Sequence, residues 1–142
     1  MRWSLGIVLA LALVTPAQCA EDFLGTVVAV ADGDTFRLKT DDRVVKIRLC
    51  GVDSPERSEP GYGAAAGALA TLIEGKMVHC LQVGMGTPCD SRSKPMSRDR
   101  VVAQCFVGDK DVAAEMVRAK QACYWPRFSG DHYRVDGACV RR

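Results

Sequence analysis

The sequence is poor in the residues that build zinc centres and membrane spans. Only two histidines, His79 and His132, occur in 142 residues, and none of the seven cysteines is spaced Cys-x-x-Cys. A zinc site is therefore not expected. No apolar run reaches the ~20 residues needed to cross a bilayer, which argues against a stable membrane anchor. Repeats, low-complexity tracts and linkers are also missing from residues 21–142, so this stretch is expected to form one domain with a modest core. Net charge is only +2.

What the N-terminus does contain is an export pattern. Arg2 precedes the apolar run Leu5–Val14, interrupted only by Gly6, and Pro16, Ala17 and Ala20 follow. Basic start, apolar centre and small residues at a cleavage site are the parts of a secretory signal. We take residues 1–20 as that signal, with cleavage after Ala20, and the mature chain as periplasmic or secreted. Removing Cys19 leaves Cys50, Cys80, Cys89, Cys105, Cys123 and Cys139. An even number of cysteines in an exported chain points to disulfides, and six allow 15 pairings.

The small net charge conceals an asymmetry. Residues 21–91 hold seven Lys/Arg against eleven Asp/Glu, and residues 92–142 hold eleven against six. A cation could sit in the acidic half while a polyanion meets the basic half. An ordinary mixed surface explains the same numbers, so charge alone decides nothing.

Residue patterning predicts a β-rich chain. Leu24–Ala31 is apolar and β-branched, as in a buried strand, and Asp32-Gly33-Asp34 is a turn. Thr35–Thr40 alternates, with Phe36 and Leu38 opposite Arg37 and Lys39. Arg43–Cys50 sets Val45, Ile47 and Leu49 against Val44, Lys46, Arg48 and Cys50. These segments form a three-stranded meander. Tyr62–Gly75, with Leu69, Leu72 and Ile73 at helical spacing and a glycine at its end, predicts a helix. Met77–Val83 and Val101–Val107 are strands four and five, separated by a loop over 84–99 long enough to be functional or mobile. Asp111 caps a second helix carrying Val112, Met116 and Val117. The resulting fold class is mainly β with α: a five-stranded OB-fold barrel, one helix between strands three and four and another after strand five.

Three segments carry candidate chemistry. Asp32-Gly33-Asp34-Thr35 by itself is ordinary turn chemistry. In Arg48-Leu49-Cys50-Gly51-Val52-Asp53-Ser54-Pro55-Glu56, an arginine off the core row precedes a break and two carboxylates. In Arg98-Asp99-Arg100, a charged loop end opens strand five. Together they resemble the staphylococcal nuclease-like (thermonuclease) family over roughly residues 24–125, leaving 126–142 as a tail. The resemblance implies a nuclease that cleaves DNA and/or RNA with Ca²⁺ at the 5′ P–O bond, leaving 3′-phosphates. It also implies Asp34 and Asp53 as calcium ligands and Ser54 as donor of a backbone oxygen. Glu56 would orient or deprotonate the attacking water, and Arg48 and Arg100 would bind the phosphate. The residue types suit that chemistry, since calcium takes six to eight oxygens and guanidinium groups meet phosphate with paired hydrogen bonds.

Departures from the family pattern shape further expectations. Where the family commonly has Tyr-Gly-Arg, this chain has Arg98-Asp99-Arg100, losing a nucleotide-holding tyrosine and placing Asp99 beside Arg100. Arg92, Lys94 and Arg98 could attract phosphates instead, as a solvated loop could simply carry them. In the tail, Trp and Tyr are expected to pack against the barrel, with Arg127 and Arg134 as candidate nucleic-acid contacts. Cys80 and Cys105 fall on strands four and five, antiparallel neighbours, and form the first expected disulfide; Cys123–Cys139 ties down the tail. Cys50 then pairs with Cys89, or alternatively with Cys123. A monomeric nuclease is the leading function. The alternatives are an OB-fold module that binds single-stranded nucleic acid without cutting it, and a disulfide-stapled protein-binding domain.

Overall fold

A computed structural model of the chain describes residues 19–142, so the export signal expected over 1–20 falls, apart from Cys19 and Ala20, outside the described residues. In chain order the elements are β1 (Asp22–Val30), β2 (Thr35–Lys39), β3 (Val44–Leu49), β4 (Val52–Asp53), α1 (Tyr62–Ile73), β5 (Met77–Gln82), β6 (Met96–Ser97), β7 (Arg100–Val107), β8 (Lys110–Asp111), α2 (Val112–Arg118), β9 (Cys123–Tyr124) and α3 (Pro126–Ser129). Strands β3-β2-β1-β5-β7 are hydrogen-bonded in that order, and β7 returns to pair with β3. The closing pair is parallel, Ile47 to Leu49 against Val101 to Ala103, while the other four pairings are antiparallel. A closed, mixed, five-stranded barrel with flanking helices follows, mainly β with some α, as in an OB-fold.

Alternation decides which side chains fill it. Phe36, Leu38, Ile47 and Leu49 are fully buried, whereas their neighbours Arg37, Lys39 and Val44 are exposed. Leu69 and Ile73 of α1 and Val112, Met116 and Val117 of α2 are buried with them in one core. Gly75, at φ +73°, ends α1 and donates its N–H to Val27 O at 2.9 Å. Asp111 caps α2 by accepting from Ala114 N at 3.2 Å, and its other oxygen accepts from Tyr133 OH and Gln104 Nε2.

Two burial expectations need correction. β1 is not a buried strand: Leu24 is 62% and Val28 45% exposed while Phe23 and Val27 face the core. An antiparallel barrel strand has one face toward solvent, and an apolar composition does not change that. Conversely Cys50, on the outward row with Arg48, is 1% exposed. It is covered by Val83, Cys89 and Val102, which form a second small cluster outside the barrel.

Disulfides and short strands hold what the barrel does not. The structure pairs Cys80 with Cys105, directly opposite one another on β5 and β7, and also Cys50 with Cys89 and Cys123 with Cys139. The 84–99 segment is thereby stapled to the end of β3. Within it Asp90 accepts hydrogen bonds from Gly84 N, Gly86 N and Thr87 Oγ1 at 2.6–2.8 Å. Burial works against the Asp90 charge, yet these donors leave its carboxyl below the usual value. β6 folds back on the start of β7. β4 pairs with β9, bringing Asp53 opposite Cys123.

The two faces of the meander should respond differently to truncation. Phe36→Ala should cost about 3–5 kcal/mol of unfolding free energy in a urea titration, the usual range for a buried aromatic. Val44→Ala, on the outer face, should stay within about 0.5 kcal/mol. Equal losses at both positions would show that the alternation does not set the core.

Candidate active site

The break after β3 and the turn before β2 meet at one rim of the barrel. Asp32 Oδ1 accepts from Asp34 N at 3.0 Å, closing the turn, and Leu49 N donates to Asp34 O at 2.9 Å. Asp34 is only 5% exposed. Its carboxylate accepts from Ser54 N at 2.8 Å and from Thr35 Oγ1 at 3.0 Å, so the acidic turn is bonded to the segment that carries Asp53. Glycine is required here for contact rather than dihedral: a Cβ on Gly33 would stand 2.7 Å from both Ser54 Cβ and Ala65 Cβ.

Arg48 lies between the two acidic segments. Its Nε is 3.3 Å from Asp34 Oδ1 and its Nη2 3.3 Å from Asp53 Oδ1. Its Nη1 donates to Val52 O at 2.9 Å and to Leu49 O. Both faces of the guanidinium fork are therefore used within the protein.

Arg100 is arranged differently. It opens β7 and meets only uncharged oxygens: Thr35 Oγ1 at 3.3 Å, Ser97 Oγ at 3.2 Å and Ser97 O at 3.5 Å. Among the described residues it makes no ion pair. Its charge is consequently available to an anion.

These side chains line a single open cleft of about 410 Å³: Asp32, Asp34, Arg48, Asp53, Ser54, Glu56 and Arg100 all contribute. Glu56 is exposed at its edge, and its backbone N–H is held by Glu59 Oε2 at 2.8 Å. Burial and the neighbouring Asp34 charge push the Asp32 carboxyl up to about 6. Burial also raises Asp53, with Arg48 opposing it and Asp34 adding to it. Burial is the larger cause at both carboxyls, with the Asp34 charge adding to it.

Among the described residues no three His, Cys, Asp or Glu side chains group closely enough to hold a metal ion by themselves. An oxygen-seeking cation with most of its ligands from solvent and substrate does fit. Such a cation needs few protein ligands, and Asp34 and Asp53, both already drawn to one positive group, supply the charge.

Of the loop and tail cations named from sequence, only Arg98 lines the cleft. Arg98 and Asp99 form the two-residue turn between β6 and β7, with Arg98 at φ +58°. The turn sends Arg98 inward, and Asp99 outward to an ion pair with Lys46, whose hydrogen bond holds the Asp99 carboxyl below its ordinary value. The negative charge expected beside Arg100 is thus engaged elsewhere. Arg92, Lys94, Arg127 and Arg134 lie outside the cleft lining; Arg127 sits over the Phe128 ring at 5.5 Å.

The tail differs from expectation in part. Tyr124 and Tyr133 are buried against the core, as packing predicts, and burial beside Asp111 pushes the Tyr133 hydroxyl well up. Trp125 and Phe128, in edge-to-face contact at 4.7 Å, are half-buried and line the cleft instead. They are held there because Gly51 O accepts from Trp125 N at 2.8 Å and Ser129 Oγ at 3.1 Å. A Cβ on Gly51, which has φ +73°, would stand 2.4 Å from Ser129 Cβ. Arg141 has no motif to mark it, yet its Nε lies 3.1 Å from Asp53 Oδ2. The one sequence signal for it is Cys139, two residues before, once paired with Cys123.

The chain is 36% identical over 120 residues to an Escherichia coli protein described as an uncharacterized endonuclease, a match covering 82% of this chain and 69% of that protein. A second protein of that description, from Escherichia coli O157:H7, is 36% identical over 63 residues, covering 44% of this chain and 40% of that protein. No protein-family model matches.

The raised Asp32 carboxyl has a stability consequence. Its folded value exceeds the unfolded value near 3.8, so the charged form costs stability once pH rises through that interval, and nothing below it. Asp32→Asn, which keeps an acceptor for Asp34 N, should therefore raise the melting temperature at pH 7 in chelator. That gain should vanish by about pH 4. A gain independent of pH would remove the charge explanation.

Proposed function

The chain belongs to the family of the Escherichia coli endonuclease, and on that premise we propose that it is an exported, calcium-dependent nuclease hydrolysing phosphodiester bonds of DNA and/or RNA. One observation carries this reading: Arg100, with no anionic partner among the described residues, lines a single cleft with the Asp34–Arg48–Asp53 group and Glu56. A module that only bound nucleic acid would gain nothing from carboxylates, which repel phosphate. Three disulfides suit the oxidising compartment that export implies. No helix among the described residues is long and apolar enough to cross a membrane.

In this mechanism Asp34 and Asp53, with a backbone oxygen of Ser54, would hold the calcium ion. Bound there, the ion supplies positive charge to the phosphate oxygens and lowers the cost of attack on phosphorus. Glu56, exposed to solvent, orients a water and accepts its proton as the water oxygen bonds to phosphorus. The P–O5′ bond breaks, and the 5′ oxygen leaves with a proton from solvent. Arg100 donates to the phosphoryl oxygens as their charge grows, which is where a preorganised donor has most effect. Arg48, which lines the same cleft between Asp34 and Asp53, would be the second guanidinium to meet the phosphate. Trp125 offers an aromatic face at the cleft edge, suited to an unpaired base.

The experiment is cleavage of single-stranded DNA by the oxidised mature protein, with calcium and with chelator. Cutting should require calcium, and Arg100→Ala should lower turnover about 10²–10³-fold with an unchanged melting temperature. Near-wild-type turnover by folded Arg100→Ala would remove that residue from the mechanism. Metal-dependent binding without cutting by the wild type would make the chain a binding module.

A further inference from the structure

Asp53 is shared by two arginines from opposite sides of the cleft. Arg48 takes Oδ1 at 3.3 Å and Arg141 takes Oδ2 at 3.1 Å. Arg141 lies in no helix or strand, so its placement needs an anchor. The Cys123–Cys139 disulfide, a bridge between Tyr124 and Val140, and Arg141 N donating to Tyr124 O at 2.9 Å provide one. The guanidinium lies 5.9 Å from the Trp125 ring and remains 50% exposed. It borders both the main cleft and a smaller one of about 130 Å³ that also includes Lys120. The two clefts share Asp53, Ser54, Pro55 and Arg141 in their linings.

We infer that Arg141 is a phosphate-binding residue held in reserve on Asp53, released to the phosphate beside the scissile one when Asp53 takes a cation. The argument is charge competition. In the metal-free protein the Asp53 carboxylate neutralises Arg141, and the pair presents no net charge to a polyanion. A divalent cation on Asp53 would compete with Arg141 for the same carboxylate. Displaced from it, the guanidinium is still tethered beside the cleft by the backbone bond of Arg141 N to Tyr124 O and the adjacent Cys123–Cys139 bridge, and its nearest anion is then the nucleic acid. Metal binding and substrate binding are thereby linked through one side chain. Arg141 should weaken the first and strengthen the second.

This inference rests on the nuclease reading, but its test uses binding alone. Calcium affinity is measured by isothermal titration on wild type, Arg141→Ala and Arg141→Lys without nucleic acid. Arg141→Ala should bind calcium several-fold more tightly than wild type. Binding of a single-stranded phosphorothioate deoxyoligonucleotide, whose links resist hydrolysis, is then followed against salt. With calcium, the slope of log affinity against log salt should be shallower by about 0.7 for Arg141→Ala, one phosphate contact on a single strand. Arg141→Lys should retain the wild-type slope, and in chelator the slopes of wild type and Arg141→Ala should match, since neither then contacts a phosphate through position 141. An unchanged calcium affinity, or a slope unaltered by Arg141→Ala in calcium, would overturn the inference. A protein that met these expectations yet left an unmodified oligonucleotide intact would sink the nuclease reading and keep Arg141's role.

Discussion

The guanidinium of Arg48 between Asp34 and Asp53 is the contact on which the cleft depends. One side joins it to the turn after β1, the other to the segment after β3, and two carbonyls hold its remaining fork. Charges placed this far out of water are stable only when paired and hydrogen-bonded, so the pairing fixes where both carboxylates point. The Ser54 N–H on Asp34 adds a second tie between the same segments. The acidic turn and the arginine-to-glutamate segment therefore act as one unit, and Arg100 is added to it from β7.

Around that unit the molecule relies on covalent ties. The barrel gives a rigid floor; the 84–99 segment has little of its own to bury, and the tail adds mainly Tyr124 and Tyr133 to the core. Cys50–Cys89 fastens the first to the end of β3, and Cys123–Cys139 fastens the second beside β4. Each cross-link stabilises mainly by restricting the unfolded chain. Here each also brings cations to the acidic rim: Arg98 follows the first, and Arg141 the second. The acidic and basic halves of the sequence thus meet across one cleft, with the carboxylates from the first half and Arg98, Arg100 and Arg141 from the second.

The family relationship to an endonuclease and the cleft chemistry point the same way by independent routes. One compares sequences; the other concerns whether these side chains can bind a phosphodiester and activate water. Arg100 is the clearest meeting point: it hydrogen-bonds only neutral oxygens of Thr35 and Ser97, and among the described residues it makes no ion pair. Where the chain departs from the thermonuclease pattern, at Arg98-Asp99, the β-turn separates the two charges, and Lys46 takes the acidic one.

By itself the sequence determined what local rules govern. Period-two alternation placed Phe36, Leu38, Ile47 and Leu49 in the core, helical spacing placed Leu69 and Ile73, and Asp111 capped α2. The resemblance of its motifs also suggested the candidate set Asp34, Arg48, Asp53, Glu56 and Arg100, and those residues line one cleft. Burial of Cys50, exposure of Leu24 and the outward turn of Asp99 depend on neighbours far along the chain. So do the cleft-facing Trp125 and the ion pair of Arg141 with Asp53, separated by 88 positions. Two-residue strands such as β4 and β9 leave no periodicity to read, and only closure of the barrel with its disulfides brings those segments together. Tertiary structure decided them, since packing and charge pairing act through space rather than along the backbone.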